Sequence, residues 1–70
     1  MTEYSKSEIE LAIDEWIIGK KAERNRRIIR KRLFDGMTYE ELAEAFGMSP
    51  RQIGEIVRKC EEKIFRHIPG

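Results

Sequence analysis

Arg51, Gln52, Glu55, Arg58 and Glu62 fall at helical spacing in the last third of the chain, so a helix there turns them to one side. Their chemistry is that of hydrogen-bond donors and acceptors. An arginine fork matches the two acceptors on a guanine edge, a glutamine amide pairs with adenine, and a glutamate accepts from the cytosine amino group. Arg51 is the candidate for guanine and Gln52 for adenine. Gln52 has a competing use in capping its own helix. Glu55 either accepts from cytosine or pairs with Arg51 and Arg58, at i−4 and i+3, and orients them.

Bond-making chemistry has little to work with. His67 is the one histidine and lies three residues from the end, and the one cysteine, Cys60, falls on an apolar helix face. A small buried thiol there is ordinary. There is no histidine–cysteine pairing, no cluster of metal ligands and no glycine loop to cradle phosphate. The carboxylates fall on helix faces and at caps. The sequence therefore implies no enzyme, and neither catalytic, metal nor cofactor residues; no small-molecule substrate is expected.

The element that must hold the donors is the stretch TYEELAEAFGMSPRQIGEIVR, residues 38–58. Leu42, Phe46, Met48, Ile53 and Ile56 take the inward positions of two short helices crossing steeply, and Ala43 gives the small side chain needed at closest approach. Gly47 supplies the left-handed turn. Thr38-x-x-Glu41 and Ser49-x-x-Gln52 are capping boxes, with Met37 against Leu42 and Met48 against Ile53 as hydrophobic staples. Pro50 stands at the first helical position, where its missing N–H costs nothing. This is the layout of a DNA-reading helix-turn-helix; the blander reading is a helical hairpin without DNA contact.

Upstream, Ser5-x-x-Glu8 is a third capping box, with Tyr4 and Ile9 as its staple. Ile9, Ala12, Ile13, Trp16 and Ile17 form an apolar stripe, on which Trp16 reads as a core anchor rather than a base-stacking ring. Gly19 is a plausible stop. A second helix carries Ala22, Ile28, Ile29 and Leu33 inward and Arg24, Arg27, Arg30 and Lys31 on the other side, until Asp35-Gly36 ends it. The last helix buries Ile53, Ile56, Val57, Cys60 and Ile64, and Pro69 prevents continuation at the end. The expected fold is all-α: one compact four-helix domain over residues 1–70, with helices at about 6–18, 21–34, 39–46 and 50–66.

Seventy residues, 40% hydrophobic and 39% charged, suit a soluble helical domain near the lower size limit for a self-sufficient core. The start of the chain lacks a secretory pattern and no apolar run is long enough for a membrane span, so a cytoplasmic location is the default. The net charge of +1 conceals a segregated pattern: −4 over residues 1–19, +7 over 20–34, −4 over 35–48 and +2 over 49–70. A basic block behind a helix-turn-helix points to phosphate contact. Thr38, Tyr39, Arg24, Arg27, Arg30, Lys31 and Lys59 are the candidates.

Taken together, residues from about 20 to 68 resemble region four of bacterial sigma factors, and the first helix can be added as its opening helix. The Arg-rich run from Arg24 to Arg32, the Asp35-Gly36 turn, Thr38 with Glu40, Glu41, Leu42 and Ala43, and the Gly47-Met48-Ser49 turn carry the likeness. The chain also looks like the small free-standing sigma-like regulators of phages and mobile elements of Firmicutes. The resemblance implies that Ser49, Arg51, Gln52, Glu55 and Arg58 approach DNA from a reading helix over about 50–60, and that the domain docks on RNA polymerase. Pro50-Arg51 and Gly54 depart from the family pattern, so the usual promoter preference is not implied. There is no room for region two, and a complete sigma factor is not expected.

The partners expected are double-stranded DNA and, because one domain of this size rarely binds tightly alone, either a second copy of the chain on a two-fold site or a larger machine such as RNA polymerase. The competing reading is a protein-interaction module that docks on RNA polymerase or an anti-sigma-type partner, favoured by the acidic blocks. Gly54 is read either as room for close backbone approach to DNA or as simple tolerance near a helix start.

Overall fold

Local signals set the helix starts. The computed structural model describes residues 5–67, and α1 runs Lys6–Trp16, α2 Ala22–Phe34, α3 Tyr39–Phe46 and α4 Pro50–His67. The described residues contain no strand. All three expected capping boxes form. Ser5 Oγ accepts from the Glu8 N–H at 3.2 Å, Thr38 Oγ1 from Glu41 at 3.1 Å and Ser49 Oγ from Gln52 at 3.1 Å. In each, the residue three positions on accepts from the cap's own N–H. Tyr4, the expected staple partner of Ile9, and the Ile68-Pro69-Gly70 end lie outside the described residues.

Helix α4 organises the core. Its Ile53, Val57, Cys60 and Ile64 are buried, and α1, α2 and α3 all pack against it. The other fully buried side chains are Ile13 from α1, Ile28 and Ile29 from α2, and Leu42 from α3. Ile28 and Ile29 are neighbours in sequence and point about 100° apart. Both are buried because α2 is wedged between α1 and α4, whereas Leu33 and Ala22 of the expected inner line are only half-buried.

Three expectations for the α1 end need correction. The helix stops at Trp16 rather than near Ile18, because Ile17 takes an extended conformation (φ −92°, ψ 94°). Each i to i+4 step rotates a side chain by roughly 40°, so a helical Ile17 would have drifted to the edge of the Ile9–Ile13 face. Leaving the helix returns it to the core at 2% exposure and turns Ile18 out at 66%. Gly19, at φ +110°, bends the connector and does not stop the helix. Trp16 is no core anchor: it is 39% exposed, and its ring stacks on His67 at 3.6 Å and 11° across the end of α4.

Between α3 and α4 the chain must reverse within Gly47, Met48 and Ser49. Gly47 sits in the left-handed region (φ 65°, ψ 38°), and its N–H and that of Met48 both reach the Ala43 carbonyl. A Cβ at Gly47 would meet nothing within 4 Å, so the constraint is conformational rather than steric. Gly47→Ala is therefore expected to destabilise the fold by about 1–2 kcal/mol, read as a lower urea midpoint at unchanged slope.

Candidate nucleic-acid interface

The stripe that α4 buries leaves its opposite face to solvent. Arg51, Gln52, Glu55, Arg58 and Lys59 are all exposed there, with Ser49 exposed at the cap. Pro50 and the Ser49 cap point the start of this face outward immediately after the turn. Of the two uses open to Gln52, the capping box is occupied: its Oε1 accepts from the Ser49 N–H at 3.0 Å. Its amide NH2 is then the group left to face outward. Glu55 forms no ion pair with Arg51 or Arg58; the one ion pair among the described residues joins Asp14 and Arg30.

One flank of this face is built on Tyr39. The Tyr39 ring lies under the Arg32 guanidinium, 4.7 Å from centroid to Cζ, and Arg32 Nη1 donates to the Met37 carbonyl at 2.8 Å. On the α4 side, a Cβ built at Gly54 would meet the ring at 3.4 and 3.6 Å. Gly54 is thus the floor against which an α3 aromatic packs. Neither sequence reading of this glycine, close approach to DNA or tolerance near a helix start, included this contact with Tyr39. The open groove beside it is lined by Tyr39, Pro50, Arg51, Gly54, Glu55 and Arg58, with Glu61 at its far end.

The other flank is cationic. Lys21 and Arg24, at the start of α2, border a shallow groove with Met48, Gln52, Glu55 and Ile56. Arg24 also lines an adjoining cleft with Lys59 and Lys63. Its guanidinium is held by Asn25 Oδ1, which accepts from Nε at 3.2 Å and Nη2 at 3.1 Å. Lys21 and Lys63 were not among the sequence candidates. Lys63 was findable, since it lies one helical turn beyond Lys59 on the same side. Lys21 depends on how α2 docks.

The basic block of α2 is therefore divided. Arg24 joins the α4 face, while Arg30 is paired through Nη2 with Asp14 Oδ1 at 2.7 Å and Arg26 donates to the Asp14 carbonyl at 3.0 Å. These two cations serve the C-terminal end of α1, where they complement the helix dipole. Arg27 lies over the Phe46 ring at 5.6 Å, beside the end of α3. Lys31 is half-buried and Thr38 is exposed, with its hydroxyl engaged in its cap. The Asp14–Arg30 pair is partly exposed on both sides, so solvent screening keeps its contribution within about 1 kcal/mol.

Burial pushes the Cys60 thiol up, Lys63 opposing and Glu61 adding to the shift, so it stays protonated at neutral pH. Among the described residues no group of histidine, cysteine, aspartate and glutamate could hold a metal ion, and no helix is long and apolar enough to cross a membrane.

The Gly54–Tyr39 contact sets an order of substitution effects. Gly54→Ala fits at ordinary contact distance and gains helix propensity, so stability is expected to hold or rise by up to about 1 kcal/mol. Gly54→Leu must displace the Tyr39 ring and is expected to lower the thermal midpoint; calorimetry on the two variants checks the order.

Residues 22–66 of the chain match the family model described as Sigma-70, region 4. No curated protein and no solved structure matches the chain.

Proposed function

The chain belongs to the sigma-70 region 4 family, a DNA-binding helix-turn-helix domain tied to RNA polymerase, and on that premise we propose that it is a sequence-specific transcriptional regulator. The observation that carries this reading is the free face of α4. It exposes Ser49, Arg51, Gln52, Glu55 and Arg58 together, while the opposite stripe of the same helix is locked in the core.

In this reading α4 enters the major groove from its N-terminal end. Arg51 offers a bidentate contact to guanine, and the Gln52 amide donates while its carbonyl keeps the cap. Glu55, free of an intramolecular ion pair, accepts from cytosine. Arg24 and Lys59 on one flank and Thr38 and Tyr39 on the other meet the two phosphate strands, positioning the helix without reading sequence. Lys31 and Arg27 are reserve contacts further along α2. Arg30 serves only where phosphate outcompetes Asp14 for its guanidinium. RNA polymerase is the larger machine such a domain would work with.

Sites selected from a random duplex pool supply the cognate sequence for the test. Arg51→Ala is expected to cost about 1–3 kcal/mol on that site and much less on random duplex. Lys59→Ala is expected to weaken both alike and make the log-affinity against log-salt slope shallower by about 1. Fluorescence anisotropy at two salt concentrations reads all of these. Duplex binding that is absent at low salt overturns the reading.

A further inference from the structure

We propose that a second copy of this chain docks the outer face of its α1 into the cleft between Ile17-Ile18, the start of α2 and the middle of α4, so that the protein self-associates through its own N-terminal helix. The cleft has a volume of about 240 Å³. Ile17, Ile56 and Cys60 supply its apolar lining, and Arg24, Asn25, Lys59 and Lys63 its polar lining. None of the three cations has an ion-pair partner among the described residues. Ile18, 66% exposed, lines the same cleft. Arg24 and Lys59 are also the flank assigned to phosphate above, so self-association and DNA binding compete for the same cations; a phosphate would use those cations and leave the apolar lining and Ile18 in water. A ligand that suits the whole cleft brings an apolar side chain flanked by negative charge.

The chain carries such a segment. Glu8, Leu11 and Glu15 lie at i, i+3 and i+7 on the solvent side of α1, and Leu11 is 60% exposed. The two carboxylates bracket the leucine roughly 10 Å apart along the helix. Neither forms an ion pair among the described residues; Glu8 uses one oxygen in the Ser5 cap. Large exposed apolar side chains among the described residues are Leu11, Trp16 and Ile18, and this contact covers two of them. Leu11 is less than two turns from the end of α1, and Ile17 and Ile18, which follow that end, line the cleft. A two-fold pair then makes the contact twice. Residues 5–17 precede the family match, so the donor face belongs to the part of the chain outside it.

A contact of this size gives weak association, and its charged lining makes it salt-sensitive. Sedimentation equilibrium of the whole chain, from micromolar to millimolar concentration, tests it without DNA and so independently of the DNA reading. The dimer fraction is expected to rise with concentration at low salt and fall at high salt. Leu11→Ser and Lys63→Glu are each expected to lose the dimer, and Glu44→Lys on exposed α3 to keep it. All three sites are exposed, and circular dichroism confirms that the variants fold. A monomer at every concentration overturns the proposal. So does a dimer that survives both Leu11→Ser and Lys63→Glu, or one that Glu44→Lys abolishes equally.

Discussion

Everything in this fold depends on the burial of one stripe of α4. Ile53, Val57, Cys60 and Ile64 are the surface on which α1, α2 and α3 converge. In a chain this short a single hydrophobic core contributes only a narrow margin of stability. Truncating one of its fully buried side chains to alanine would cost about 2–5 kcal/mol, much of the total. The same burial fixes α4 rotationally. A helix gripped along one side has its opposite side defined, and here that side bears the hydrogen-bonding residues. Stability and presentation of the interface are thus two consequences of one packing contact.

Charge is distributed by the same geometry. Along the sequence the basic block looks like a single reservoir for phosphate. In the fold, Asp14 and the C-terminal carbonyls of α1 draw Arg26 and Arg30 to one side, while Arg24 turns toward α4. Arg32 is drawn elsewhere again, onto the Tyr39 ring and the Met37 carbonyl. Side chains two to eight residues apart on one helix therefore act in different places: Arg30 neutralises a helix end, Arg32 clamps the α2–α3 turn, and Arg24 borders the candidate interface. The near-neutral net charge is compatible with a cationic flank because Asp14 of α1 engages Arg30 and Arg26 and not Arg24.

Caps and turns were legible because their causes are local. A Ser or Thr followed three residues on by Glu or Gln closes its hydrogen bonds within one turn, and all three boxes form at the expected residues. Gly47 is legible for the same reason, since a chain reversing over three residues needs a left-handed conformation somewhere. The contacts missed by the sequence share the opposite property. Gly54 answers to Tyr39, fifteen residues earlier, and Trp16 answers to His67, at the far end of the chain. No spacing rule links such residues. The early end of α1 belongs with them, because Ile17 leaves the helix to satisfy a core assembled from other elements.

The amino-acid order was enough for the helical class, the four segments, the turn at Gly47 and the residues that α4 exposes, because short-range hydrogen bonding and 3.6-residue periodicity act within a segment. How α1 meets α2 and α4 was beyond its reach. That docking settles which arginines are free, which aromatic closes the bundle, and whether Lys21 stands beside the candidate interface. The physical reason is that periodicity defines a direction around one helix axis, whereas the pairing of faces between helices follows from the joint packing of all of them.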